Sequence, residues 1–152
     1  MAKVEALFLK LNQEQQINTI IKIIDLSNLV FHFYTYEAGK APANLLLAAK
    51  AYHKDPTDVN RELFNLAHNA FEELSESITV EAVDRLPLQN SIAAIQHATR
   101  FLYDHTDPEL MSAATQSIDL ACKSDSAIKK IIIYFMGVQT GKNKAHKHRF
   151  MD

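Results

Sequence analysis

The stretch that decides the fold of this chain, residues 12–33, reads NQEQQINTIIKIIDLSNLVFHF. Asn12 and Gln15 have the spacing of a capping box, and Glu14 places negative charge at the start of the predicted helix. Beyond them, two adjacent rows of side chains recur at helical spacing. The rows are Ile17, Ile20, Ile21, Ile24, Asn28 and Phe31, and Ile23, Leu26, Val30 and Phe33. A stripe this wide predicts a central helix that its neighbours contact from two sides.

Residues that interrupt regular structure are scarce throughout the chain. Its 152 residues include 3 glycines and 4 prolines, where average usage of about 7% and about 5% would give about 18. This deficit disfavours a sandwich or barrel of many short strands and favours a few long helices. A length of 152 residues corresponds to about one domain.

Capping residues and apolar periodicity predict five further helices. The first of these ends near Lys54, and Asp55 then caps another helix that has Pro56 in its first turn. The core face predicted for that helix consists of Val59, Leu63, Leu66, Ala67, Ala70, Phe71 and Leu74. Residues 75–87 are predicted to connect it to the next helix, with a short helical turn at residues 80–84.

The remaining three helices lie in the second half of the chain. One follows Pro87, a capping box formed by Thr106 and Glu109 opens the next, and Ser124 or Ser126 caps the last. Together the six helices predict an all-α fold, a single-domain irregular bundle of helical hairpins stacked around the first helix.

Charge is distributed unevenly along the chain. Residues 1–140 carry 12 Lys or Arg and 17 Asp or Glu, a net charge of −5, whereas residues 141–152 carry four cations and one Asp, a net charge of +3. We therefore expect a helical domain in residues 1–140 and a basic, flexible tail in residues 141–152. The tail predicts at most weak, salt-sensitive contacts with nucleic acid. Its candidate binding residues are Lys142, Lys144, Lys147 and Arg149.

Aromatic rings are concentrated in residues 31–36, which read FHFYTY. One helix face cannot bury five such rings in six positions, so some of them are expected to reach a second packing layer, a ligand cleft or a partner. Core packing is the favoured interpretation, with Tyr34 and Tyr36 as candidate contact residues if they are exposed. The strand propensity of residues 30–36 also allows an extended conformation there.

Metal and cofactor motifs are missing from the sequence. No Glu-x-x-His or His-Glu-x-x-His pattern occurs, and the single cysteine, Cys122, forms neither an intramolecular disulfide nor a thiolate zinc site. His68 and Glu72 stand one helical turn apart, where a hydrogen bond between them is the simpler interpretation. Residues 137–143 lack the spacing and the Ser or Thr of a phosphate-binding loop. We therefore expect no metal and no cofactor.

One spacing suggests catalysis. Arg100 precedes His105 with four residues between them, and Arg61 precedes His68 with six. This spacing resembles the arginine–histidine motif of HEPN-type ribonucleases, which are also compact helical domains. The resemblance implies that Arg100 binds an RNA phosphodiester and that His105 acts as general acid or base. Phe101 departs from the polar residue usual after that arginine, and the acidic body of the chain would repel RNA.

Three functional hypotheses follow from these observations. The leading one is a non-catalytic protein-interaction module, of the kind found among small adaptors, immunity proteins and secreted bacterial effectors. The alternatives are a HEPN-like helical ribonuclease and a small-ligand sensor lined by the aromatic cluster. The chain shows no Sec-type signal pattern and no apolar run long enough to span a bilayer. We therefore expect a soluble cytoplasmic protein, with non-classical secretion and the oligomeric state left open.

Overall fold

The computed structural model describes residues 2–34, 39–81 and 86–141. Within these ranges the chain forms seven α-helices and one 3-10 turn, and no strand. The helices are α1 (Ala2–Leu9), α2 (Gln13–Tyr34), α3 (Ala41–Lys54), α4 (Asp58–Glu81), α5 (Leu86–Tyr103), α6 (Met111–Ser124) and α7 (Ser126–Gln139), and the 3-10 turn is Pro108–Leu110. The predicted all-α class is confirmed, with one helix more than expected. No described helix has the length and apolarity needed to cross a membrane.

The additional helix is α1. Val4 and Phe8 stand one turn apart on it, and both are fully buried. The ring of Phe8 meets that of Phe101 edge to face, with 6.4 Å between the ring centroids. Eight residues give too few turns for an apolar period to be recognised in the sequence, and tertiary packing rather than propensity stabilises so short a helix.

Helix α2 lies at the centre of the bundle and packs against α3, α5, α6 and α7. Its predicted capping box is confirmed: the Gln15 amide donates to Asn12 Oδ1 (2.8 Å), and the Asn12 amide donates to Gln15 Oε1 (3.0 Å). Helix α2 continues to Tyr34. The extended alternative for residues 30–36 is therefore wrong up to Tyr34, and residues 35 and 36 lie outside the described part of the chain.

The described helices pair as predicted hairpins, α3 with α4 and α5 with α6. Gly39, before α3, and Gly141, after α7, have φ angles of +58° and +83°. These left-handed conformations are strained for residues that carry a Cβ atom.

The core face predicted for α4 is confirmed in part: Phe71 is buried and Ala67 and Leu74 pack against the core, but the observed face is rotated about the helix axis toward Phe64. Val59, Leu63 and Leu66 are 69%, 52% and 55% exposed, whereas Phe64 and Phe71 are fully buried. The two phenylalanine rings offer more apolar area to bury, and each has an aromatic neighbour: Phe64 stacks on Tyr103, and Phe71 packs against Phe31. Two apolar rows of similar period occur on this helix, and the larger side chains determine which row faces the core.

Helix α4 also differs from the prediction at both ends. Asp55 ends α3, its amide donating to the Ala51 carbonyl (2.9 Å), and does not cap α4. The cap is Thr57, whose hydroxyl oxygen accepts the Asn60 amide at 3.1 Å. The helix continues to Glu81, so the connection predicted to begin at residue 75 is helical there.

Two other predicted caps are displaced by one residue. Asp107, not the pair Thr106 and Glu109, caps the 3-10 turn through a 2.9 Å bond from the Glu109 amide. Asp125, rather than Ser124 or Ser126, caps α7 through a 2.9 Å bond from the Ala127 amide. At both places an aspartate next to the predicted residue supplies the acceptor, because a carboxylate also interacts favourably with the helix dipole.

Candidate interaction groove

An apolar groove lies between the C-terminal half of α2 and the first two turns of α7. Its volume is about 260 Å³. The lining residues, which we call the α2/α7 groove, are Leu26, Leu29, Val30, Phe33, Asp125, Ala127, Ile128 and Ile131. Asp125 is the only ionisable residue among them.

The groove has a buried floor and an exposed rim. Leu26, Val30 and Ile128 form the floor and are buried in the core. On α2, the rim residues Leu29 and Phe33 remain 63% and 79% exposed. Because they stand one turn apart on α2, both side chains border the same groove.

Helix α7 completes the rim with Ile131, which is 40% exposed. The carboxylate of Asp125, at the end of the groove, already accepts the Ala127 amide as the cap of α7. The groove wall is otherwise apolar. Large apolar side chains that converge from two helices on one surface depression are typical of interaction sites.

The aromatic segment of residues 31–36 is divided between core and surface. Phe31 is fully buried, as core packing predicts, and Phe33 borders the groove. The side chain of Tyr34 and all of Tyr36 lie outside the described part of the chain. Leu29 was not predicted as a functional residue, because it belongs to neither apolar row of α2. A large apolar residue outside both rows of a helix is, however, a sequence signal for an exposed contact residue, and that signal could have identified Leu29.

The structure places Arg100 and His105 on different cavities. Arg100 lines an open depression of about 360 Å³ together with Asn65 and His68. Helix α5 ends at Tyr103, so His105 lies in the following turn and lines a separate cavity of about 210 Å³. The two side chains implied by the ribonuclease resemblance therefore line different cavities.

The second arginine–histidine pair is engaged in contacts within the domain. The Arg61 guanidinium lies 5.2 Å from the centre of the Tyr103 ring. His68 Nε2 is 3.0 Å from Glu72 Oε1, and Gln96 donates to the other oxygen of that carboxylate at 3.0 Å. The predicted hydrogen bond between His68 and Glu72 is confirmed within α4, and the bond from Gln96 ties the Glu72 carboxylate to α5.

The cavity that contains His105 also holds a histidine that sequence reasoning did not single out. His53 Nε2 lies 2.8 Å from Glu14 Oε1, which joins α3 to the first turn of α2. Tyr52 and Leu102 also line this cavity. Residues of α2, α3 and the turn after α5 assemble this cluster. The apolar periodicity within any one helix therefore could not predict it.

Other candidate residues contribute no site to the described structure. Burial raises the pKa of the half-buried Cys122 thiol to about 11, with a smaller contribution from Asp119, so the thiol is protonated at neutral pH and is a poor nucleophile. Within residues 2–34, 39–81 and 86–141, no three His, Cys, Asp or Glu side chains are grouped so as to hold a metal ion. The tail cations lie outside the described residues: Lys142, Lys144, Lys147 and Arg149.

Comparison with known proteins adds no family to these observations. Neither the scan against protein-family models nor the searches of curated proteins and of solved structures found a match to this chain.

Proposed function

We propose that the chain is a non-catalytic protein-interaction domain that binds a partner through the α2/α7 groove. The observation that carries this proposal is the convergence of Leu29, Phe33 and Ile131 on one apolar depression while all three remain substantially exposed. Full burial of a completely exposed side chain of this kind contributes about 1.5–3 kcal/mol, so burial of the exposed part by a partner contributes a corresponding fraction, smallest for Ile131 at 40% exposure. A few large apolar residues at the centre of an interface commonly account for most of its binding energy.

The partner expected from this chemistry is a protein segment with apolar side chains on one face. A helix that lies along two neighbouring helices presents such residues three or four positions apart. The groove wall supplies no cluster of like charge that would select nucleic acid, since Asp125 is its sole ionisable residue. Under this proposal the chain acts in the cytoplasm, and the tail of residues 141–152 makes secondary contacts with the partner.

The test compares three forms of the chain as bait in lysate of its native cells. Leu29→Glu places a charge on the rim, and Leu86→Glu is the matched control, because Leu29 and Leu86 are both leucines with 63% exposure. We expect wild type and Leu86→Glu to retain the same protein at a fixed stoichiometry, and Leu29→Glu to lose it. A partner retained equally by all three forms would overturn the proposal.

The purified protein also tests the ribonuclease hypothesis. If the domain is non-catalytic, purified protein leaves mixed RNA intact. Cleavage of RNA that is lost in Arg100→Ala or His105→Ala would replace the interaction proposal with the catalytic one.

A further inference from the structure

The outer face of the α3/α4 hairpin is a second apolar surface, and it shares no residue with the α2/α7 groove. Leu47 of α3 is 63% exposed. On α4 the exposed apolar row consists of Val59, Leu63, Leu66 and Ala70, which the spacing of the sequence places on one helix face. The row covers three turns, about 16 Å of helix.

Positive charge lies on the α3 side of this apolar strip. Lys50 and Lys54 are exposed on α3, Lys40 is exposed just before its first turn, and α3 contains no carboxylate. The side of α3 that faces α4 is marked by Tyr52, whose ring lies 5.9 Å from that of Phe64. Helical spacing puts Lys50 and Lys54 on the opposite side of α3 from α4.

Negative charge lies on the α4 side of the strip. The exposed carboxylates of α4 are Asp58, Glu62, Glu73 and Glu76. Helical spacing places them between the apolar row and the side of α4 that faces α5, where Glu72 meets Gln96. None of these carboxylates, nor any of the three lysines, forms an ion pair with another residue in the part of the chain that the structure describes.

We propose that this hairpin face binds a second copy of the chain in a twofold dimer. A twofold axis parallel to the hairpin, in the plane of the interface, sets α3 of one copy against α4 of the other. It therefore sets lysines against carboxylates and apolar strip against apolar strip. A twofold axis perpendicular to the helices would instead set α3 against α3 and bring like charges together.

The positions of the charges along the hairpin match in this arrangement. Helices α3 and α4 meet at the turn around Pro56, and residues equally far from that turn lie at the same height. Lys54 and Asp58 are each two residues from Pro56, and Lys50 and Glu62 are each six residues from it. Because the twofold rotation preserves height, each lysine meets the carboxylate at its own level in the partner.

The third pair lies at the far end of the hairpin. Lys40 and Glu73 are 16 and 17 residues from Pro56, so they also come to nearly the same height. The 14 residues of α3 limit the shared face to about 21 Å by about 20 Å. Such a face is small for a stable interface, so we expect a dimer that dissociates at micromolar concentrations.

The experiment uses two charge-reversed forms of the full chain in sedimentation-velocity ultracentrifugation, at protein concentrations from about 1 to about 300 µM. The acidic-face variant is Lys40→Glu, Lys50→Glu, Lys54→Glu, and the basic-face variant is Asp58→Lys, Glu62→Lys, Glu73→Lys. We expect the wild type to dimerise and each variant alone to dimerise at least about tenfold more weakly, because like charges then face each other. An equimolar mixture of the two variants restores the wild-type affinity.

Single substitutions test the apolar strip in the same measurement. Leu66→Glu weakens the dimer by at least about tenfold, while Leu29→Glu, in the α2/α7 groove, leaves it unchanged. Circular dichroism reports whether each variant keeps its helix content. A monomeric wild type at every concentration, a dimer insensitive to both charge reversals, or a mixture that stays monomeric would each overturn the proposal. Because the groove is a separate surface, none of these results decides whether it binds a partner.

Discussion

Comparing Leu66→Ala with Phe71→Ala distinguishes the observed rotation of α4 from the one expected from its sequence pattern, because Phe71 is buried in both and Leu66 only in the expected one. Phe71 is fully buried, and its ring lies 5.9 Å from that of Phe31 on the central helix. Phe→Ala in a core costs about 3–5 kcal/mol, because apolar contacts are lost and a cavity remains. In a domain of this length that cost lowers Tm by about 6–20 °C. Leu66→Ala, by contrast, truncates a side chain that is 55% exposed, and we expect a change within about 0.5 kcal/mol.

Urea unfolding followed by circular dichroism measures both variants. Each variant is unfolded at two protein concentrations that differ by about tenfold. A dimer contact makes the apparent stability depend on protein concentration, whereas a core contact does not. A concentration-independent loss in Leu66→Ala equal to that in Phe71→Ala would refute the reasoning. It would place the row that contains Leu66 in the core.

Three further predictions concern a helix cap, the cysteine and a partly buried histidine. Thr57→Ala lowers the free energy of unfolding by about 1 kcal/mol and Asp55→Ala by less than about 0.5 kcal/mol; urea titrations giving the reverse order would restore Asp55 as the cap of α4. Because the pKa of Cys122 is about 11, iodoacetamide alkylates the folded protein at pH 8 about 100-fold more slowly than the unfolded chain, and equal rates would contradict its burial. Burial, with a smaller contribution from Arg100, lowers the pKa of His97 from its usual 6.5. The unfolded chain therefore binds the proton more readily, and the free energy of unfolding falls as the pH drops below about 6.5; a His97→Gln variant with an unchanged fall in urea titrations would rule out this cause.

The sequence predicted the helices that have strong local signals. The capping box of Asn12 and Gln15 and the wide apolar stripe identified α2 and its central place, because both signals arise within the helix itself. The rotation of α4 could not be predicted in this way. Its two apolar rows have nearly the same period, and the choice between them depends on rings such as Tyr103 that other helices supply.

The candidate site was predicted less well than the fold, for the same physical reason. The segment of residues 31–36 drew attention to the end of α2, but the groove also requires Ile131 of α7, 100 residues beyond Phe31. Arg100 and His105 are close in sequence, yet they line different cavities because α5 ends between them. Here, proximity along the chain did not bring the two side chains to one cavity.

The most direct test of the proposed function is the affinity of the α2/α7 groove for the partner that wild-type protein retains. Isothermal titration calorimetry of that partner should give a Kd at least about tenfold higher for Leu29→Glu than for wild type, equivalent to about 1.4 kcal/mol of binding free energy. For Leu86→Glu the Kd should stay within about twofold of wild type. Equal Kd values for Leu29→Glu and Leu86→Glu would contradict the assignment of this groove as the binding site.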